Sequence, residues 1–379
     1  MSPRGAARAA AALVGAALAT LLSAAGADGV RGRHVTYPAV VPGHALEFPR
    51  DFGAHPEFRT EWWYATGWLR SAEGEELGFQ VTFFRTRPDV PQDNPSAFAA
   101  RQLIIAHAAL SDPGRGRLWH EQRIARESHG LAGAAQGDTD VWLDAWRLRR
   151  EQGRYVAIVA GEELSFELTL EPTQPPMLNG EDGISRKGRE PGSASYYYSL
   201  PHLAVAGEVV RDGRRVAVTG SAWLDQEWST ALLDPEATGW DWIGINMDDG
   251  GALMAFRLRD ASGGSHWAAA TWRRADGALS TFGPGEVTFV PGRRWRSPRT
   301  AIEFPVEWDV RVGPLEIGLV PLMDDQESDS RFTTGAVYWE GAVRARSGGR
   351  EIGRGYLELT GYGEPLALPG SGSQDGQGP

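Results

Sequence analysis

The chain has no cysteine among its 379 residues, and only one of its 38 lysine and arginine residues, Lys187, is a lysine. Without thiols there can be no disulfides, no cysteine nucleophile, no thiolate metal site and no lipid on an N-terminal cysteine. His107, His120, His129, His202 and His266 are scattered, with no HxH or HExxH spacing, so no metal is expected. GxSxG and GxxxxGK[ST] are also missing, which argues against a serine-hydrolase elbow and against an ATP-driven motor. No cofactor is expected either. Positive charge is scarce: the formal net charge is −11 at pH 7. Such a surface repels phosphate backbones on average, so nucleic acid is not an expected partner. The 3.6-residue period of an amphipathic helix never persists beyond a couple of turns.

What the sequence does have is tryptophan (15), glycine (48) and proline (24), spread among short apolar or alternating runs. Trp62–Leu69, Leu77–Arg85, Leu103–Leu110, Val216–Trp223, Trp242–Met247 and Ala252–Leu258 are rich in aromatic and β-branched residues and bounded by turn residues. That is strand behaviour, and the fold class expected is all-β. Arg4 and Arg8 precede an uncharged run, Ala9–Ala25, and a small-x-small site at Ala25-Gly26-Ala27. These read as a cleavable signal peptide over 1–27, hence a secreted or periplasmic location. Residues 28–50 read as an irregular leader and 367–379 as a disordered tail. Two polar, Pro- and Gly-rich stretches, Thr86–Ala100 and Glu171–Ser195, are long enough to be functional flaps.

An internal repeat sets the domain division. Glu61-Trp62-Trp63-Tyr64 begins a strand that turns into Gly78–Arg85, and Gly239-Trp240-Asp241-Trp242 begins one that turns into Leu253–Arg259. Each is a Trp-rich strand, a tight turn and an apolar strand ending in Arg. Two related domains are expected, 51–233 and 234–366.

HPEFRTEWWYATGWL, SRKGREPGSASYYYSLPHLAVAGEV, VTGSAWLDQEWST and GWDWIGINMDDGGALMAFRLR resemble the AttH group of predicted secreted hydrolases. That group belongs to a lipocalin-like superfamily shared with carotenoid 1,2-hydratases and certain fungal decalin-forming cyclases. The resemblance implies two lipocalin-like antiparallel β-barrels packed together. It also implies an ABC transporter permease as a partner, because some AttH relatives are encoded beside or fused to one.

Ser221–Ser229 carries the sharpest chemical pattern. Alternation along a strand puts Trp223, Asp225 and Glu227 on one face and Leu224, Gln226 and Trp228 on the other, with the two carboxylates about 6–7 Å apart. Buried together, they would hold a proton near neutral pH and supply a general acid; exposed, they would be solvated or paired with arginines. The hydratases carry His where this chain has Gln226, and they rely on it, on the Trp matching Trp228, and on a Tyr and an Asp that would fall around Leu253–Phe256. This chain has neither there, and glutamine cannot titrate, so carotenoid hydration itself is not expected. Trp228 could still face a carbocation.

Glu61, Trp62, Trp63 and Tyr64 read either as a pocket wall with one polar anchor or as a barrel-closing strand with Glu61 paired to Arg85 or Arg257. Tyr197, Tyr198 and Trp242 join the ligand-binding candidates, as does Lys187, whose compact ammonium stands where arginine is used everywhere else. Two functions fit. One is an exported carrier of a lipid or other hydrophobic small molecule. The other is a cofactor-independent lyase, hydratase, isomerase, cyclase or hydrolase acting on an apolar polyene or terpenoid-like substrate, with Asp225 or Glu227 as the acid.

Overall fold

The computed structural model describes residues 35–91, 93–96, 98–231 and 234–364. The expected signal segment 1–27, the start of the leader and the tail 367–379 lie outside the described residues. Twenty-five strands and one short 3-10 turn, Arg50–Phe52, make up the regular structure among them. The first domain contains β1 (Thr60–Ser71), β2 (Glu76–Thr86), β3 (Leu103–Asp112), β4 (Arg117–Arg126), β5 (Ala132–Ala134), β6 (Asp140–Leu143), β7 (Trp146–Glu151), β8 (Arg154–Ala160), β9 (Ser165–Pro172), β10 (Met177–Leu178), β11 (Ile184–Arg186), β12 (Ala194–Arg211) and β13 (Arg214–Ser229). The second contains β14 (Gly239–Met247), β15 (Ala252–Arg259), β16 (Ser265–Arg273), β17 (Leu279–Phe282), β18 (Val287–Pro291), β19 (Arg294–Arg296), β20 (Glu303–Pro305), β21 (Trp308–Val312), β22 (Leu315–Pro321), β23 (Glu327–Ser330), β24 (Ala336–Ser347) and β25 (Arg350–Thr360).

Both halves are wound the same way. In the first, β1 pairs antiparallel with β2 through a tight turn and with β13, the last strand of the domain. In the second, β14 pairs with β15 and with the last strand, β25. Each turn needs a left-handed residue and has glycine there: Gly74 at φ 86° and Gly250 at φ 90°. The 13-stranded sheet runs β4-β3-β2-β1-β13-β12-β9-β8-β7-β6-β5, and β3 and β4 return against β6 and β5, so the sheet nearly closes. The second sheet runs β17-β16-β15-β14-β25-β24-β22-β21-β18.

Strand alternation then separates two kinds of interior. Odd-numbered positions of β1 (Trp63, Ala65, Leu69) and even-numbered ones of β13 (Leu224, Trp228) fill the first barrel together with Phe79, Phe83, Tyr198 and Leu200. Ile243, Ile245, Leu253, Trp308 and Trp339 fill the second. The remaining faces meet each other. Tyr64, Trp68, Tyr197 and Trp223 pack against Trp242, Met254, Phe256 and Tyr356 in a third apolar cluster at the seam between the domains. Gly244 permits that approach, since a Cβ there would stand 2.6 Å from Trp242 and 3.0 Å from Trp223. A cleft of about 630 Å³ runs along the seam. A second cavity, about 390 Å³, opens at the mouth of the first barrel.

Candidate active site at the domain seam

The cleft is walled by Thr66 and Trp68 of β1, Ser221 and Trp223 of β13, Asn246 of β14 and Tyr356 of β25. Its shape depends on contacts across the seam. The Trp68 indole N–H donates to the Gly355 carbonyl at 3.0 Å. Asn246 Nδ2 donates to Ser221 Oγ and the Ala222 carbonyl, and its side-chain oxygen accepts the His202 N–H at 2.9 Å. His202 can reach it because β12 is irregular there, with its register shifting between Leu200 and Leu203 and His202 at φ 54°. At one edge, Glu76 accepts from Arg344 and from Arg354 (2.7 Å), and both guanidinium groups lie over the Trp68 ring. The Thr66 hydroxyl is buried with no hydrogen-bond partner.

Asp225 lies one alternation beyond Trp223. Its Oδ1 accepts hydrogen bonds from the Ser199 hydroxyl and the Trp223 indole, both at 2.6 Å, and its Oδ2 accepts from the Tyr197 hydroxyl at 2.5 Å. The Tyr197 oxygen in turn accepts the Trp242 indole N–H of the other domain at 3.0 Å. The register explains this convergence: Ser199 and Tyr64 flank Asp225 directly on β12 and β1. Burial pushes the Asp225 carboxyl up to about 7; the three donors oppose that rise and the nearby Glu227 charge adds to it. A carboxyl that exchanges its proton near neutrality is what acid catalysis requires.

Glu227 is buried on the same face and paired with Lys187, whose Nζ is 2.8 Å from Oε1; the Ser195 hydroxyl donates to the same oxygen. The ammonium also lies 4.9 Å from the Tyr197 ring centre and 4.1 Å from that of Phe256. The long polar stretch before β12 therefore folds back through β10 and β11, both paired with β12, and brings the one lysine to the seam. Trp62 joins the seam cluster as a partly buried neighbour.

The remaining candidates lie elsewhere, in the interior of the first barrel. Trp63 is part of the first barrel's core, and Glu61, Tyr198, Gln226 and Trp228 face the same interior. Glu61 binds Arg85 at 3.0 Å, while Arg257 binds Asp241, the repeat counterpart of Glu61. Gln226 donates to Glu61 at 3.0 Å and accepts from Tyr198. The residue that sequence reasoning missed is His55. Its Nδ1 is 2.8 Å from Glu61 and its Nε2 is 3.4 Å from Asp51. Its ring stacks on Trp228, with centres 3.8 Å apart and planes within 6° of parallel. Burial works to lower its pKa, but the Glu61 charge and the hydrogen bonds to Asp51 and Glu61 outweigh it and raise the value to about 9. With both ring nitrogens held by carboxylates, this imidazolium is a clamp on the barrel mouth.

One group of possible metal ligands converges among the described residues, Asp234, Glu236 and His266. His266 bridges the two acids, with Nε2 3.0 Å from Asp234 and Nδ1 3.5 Å from Glu236.

Residues 39–362 match the AttH-like family model. The chain belongs to the AttH-like family. A crystal structure of an AttH-type protein from Nitrosomonas europaea is 54% identical over 86% of this chain and 99% of that one, with a TM-score of 0.81. Kievitone hydratase from Nectria haematococca is 14% identical over 87% of this chain and 96% of that one, with a TM-score of 0.65. At that identity the likeness is one of fold. None of the curated proteins matches the chain in sequence. This chain thus shares its fold with the AttH-type protein from Nitrosomonas europaea.

Proposed function

We propose that this AttH-like chain is a cofactor-independent lyase of the hydratase type. It adds water to, or removes it from, a carbon–carbon double bond of an apolar, isoprenoid-like substrate held in the interdomain cleft. The observation that carries this reading is Asp225: buried, fixed by three donors, and titrating near 7 beside a cleft wall of Trp223, Trp68 and Tyr356. Protonation of an alkene creates a carbocation, and indole and phenol faces stabilise positive charge where water is excluded. The shared fold with a hydratase is consistent with the same class of reaction. The test is to incubate the chain with prenylated phenols, kievitone included, and linear polyenes in heavy-oxygen water, following mass gain. Incorporation of one heavy oxygen, lost in Asp225→Asn, is expected. Equal turnover by Asp225→Asn would remove the acid role.

The carrier reading is favoured by the aromatic cleft wall alone. It makes a different forecast: a hydrophobic molecule co-purifies in near-equal amount and Asp225→Asn leaves that amount unchanged. In either case we propose export through segment 1–27, a mature chain beginning near Asp28 and action beside an ABC transporter permease. N-terminal sequencing of the exported chain, and its recovery in complex with a permease encoded beside it, check these points.

A further inference from the structure

Thr86–Ala100, the first of the two long polar stretches, borders a row of apolar side chains on the outside of the first barrel. The register builds that row. Trp62 of β1 faces Phe84 of β2, Phe84 faces Ile105 of β3, and Ile105 faces Ile124 of β4. Direct partners across antiparallel strands point to the same side of the sheet. Their chain neighbours Trp63, Phe83 and Ile104 belong to the barrel core, so the row itself points outward. None of the four is buried, and Ile124 is 39% exposed.

Two phenylalanines on loop tips flank the row. Phe98 is 70% exposed and Phe332 is 79% exposed. The Arg126 guanidinium, at the end of β4, lies 5.0 Å from the Phe98 ring centre. Phe332 sits in the turn between β23 and β24. Its neighbour Thr333 donates to Gln122 Oε1 of β4 at 2.7 Å, and the same hydroxyl lies 2.7 Å from His107 Nε2. Gln122, Ile124 and Arg126 alternate onto one face of β4, so the two anchor points stand about 13 Å apart with Ile124 between them. Both tips are fixed by their own hydrogen bonds. Ser96 N–H donates to Asn94 Oδ1 and Phe98 N–H to Ser96 Oγ, while the Thr333 and Thr334 N–H groups donate to the Ser330 carbonyl. Each ring is presented outward by an ordered turn, and large apolar side chains grouped in this way mark a surface that something covers.

Two observations point to lipid as the cover. The first is the path of the chain. Val35, where the described residues begin, donates its N–H to Asp89 Oδ1 within Thr86–Ala100. The apolar run Ala9–Ala25, the core of the proposed export signal, ends ten residues earlier, a reach of at most about 35 Å. A bilayer holding that run is therefore close to this end of the barrel. The second is the company the rings keep. Arg101 and Arg126 are exposed beside Phe98. Arg101 donates to the Asn94 carbonyl at 2.6 Å, and among the described residues neither arginine forms an ion pair. Guanidinium groups bind phosphate, and aromatic rings settle at the headgroup boundary. In a chain of net charge −11, this corner is a local exception to the repulsion of phosphates.

We propose that this face docks on a lipid bilayer, with Phe98 and Phe332 entering the boundary between headgroups and acyl chains and Arg101 and Arg126 meeting lipid phosphates. Trp68 of the cleft wall lies on the same face of β1 as Trp62, six residues further on and about 20 Å along the strand. Docking thus holds the cleft near a membrane in which an apolar guest would dissolve. The inference stands apart from the hydratase reading, since a carrier and an enzyme both gain from that placement.

Flotation of the full mature chain with vesicles of phosphatidylethanolamine and about one quarter phosphatidylglycerol, a bilayer with an anionic surface, tests the proposal. The wild type is expected to float. Phe98→Ser and Phe332→Ser are each expected to weaken partitioning about tenfold, and the two together about a hundredfold. Arg101→Gln with Arg126→Gln is expected to weaken it about tenfold and to blunt its dependence on salt. Both rings are exposed, so the urea midpoint of the double phenylalanine variant should match that of the wild type. Val290→Ser, at a site 51% exposed on β18 of the other barrel, should float like the wild type. A wild type that stays in solution, a double phenylalanine variant that floats unchanged, or an equal loss in Val290→Ser would overturn the docking face. So would a wild-type dimer, seen by sedimentation without vesicles, that the double variant abolishes: the patch would then join two copies of the chain.

Discussion

Asp225 and His55 are perturbed in the same direction for opposite reasons, and stability should report the difference. The carboxyl of Asp225 is raised from an ordinary 3.8 to about 7, chiefly by burial. The folded state therefore keeps a proton that the unfolded state loses, and stability falls as pH climbs from about 4 to about 7. Asp225→Asn removes that dependence. Relative to wild type, the variant is expected to gain on the order of 4 kcal/mol between those limits, at 1.4 kcal/mol per pH unit, measured by urea unfolding at several pH values. His55 is a cation that gains carboxylate partners, raised to about 9. Its contribution is complete below about 6.5 and is lost as pH rises through about 9. His55→Gln is expected to cost about 3 kcal/mol at pH 6 and much less above pH 9; an equal cost at both would show that stacking on Trp228, and not charge, is what matters. The division of Trp223, Asp225 and Glu227 from Gln226 and Trp228 was legible in the sequence because a strand alternates with period two. His55 was not, since nothing in the irregular stretch before β1 marks which barrel residue it will meet.

Among the strands, the register turns a repeat into a site. Glu61 faces Arg85 and Asp241 faces Arg257 at matching places in the two hairpins; likewise Trp62 faces Glu227 and Trp242 faces Glu358. The hairpins themselves were legible from their Trp-rich strands and Gly-containing turns. The outer partners β13 and β25 were not, because a pairing between the first and last strands of a domain leaves no local trace. Nor was the route by which Lys187 reaches Glu227, since β10 and β11 amount to two and three residues. Gly244 tests the packing between these elements. Gly244→Val places carbon atoms against the Trp242 and Trp223 indoles, and a loss of about 1–3 kcal/mol is expected from overpacking, read as a lower urea midpoint with unchanged slope. A neutral result would mean that the seam is looser than its contacts imply.

In the whole molecule, equivalent faces of two related domains meet, and a cleft of about 630 Å³ lies between them. The sequence carried the two-barrel architecture but not the cleft between the domains, because residue patterns reveal that a face is apolar without revealing what covers it. A seam of large aromatics should couple the halves. Calorimetric unfolding is expected to show one transition for the wild type and two for a variant carrying Trp223→Ala and Trp242→Ala, each substitution removing about 3–5 kcal/mol. Two transitions in the wild type would mean that the cleft is a hinge.

The seam acts as an acid site only if Asp225 keeps its proton in water near neutral pH. Carbon NMR of the chain labelled at aspartate carboxyls, with the Asp225 signal assigned by its loss in Asp225→Asn, measures this directly. A titration midpoint near 7 is the expected result. A midpoint at or below the ordinary value of about 4 would contradict it, leaving a permanently charged carboxylate that binds but cannot donate.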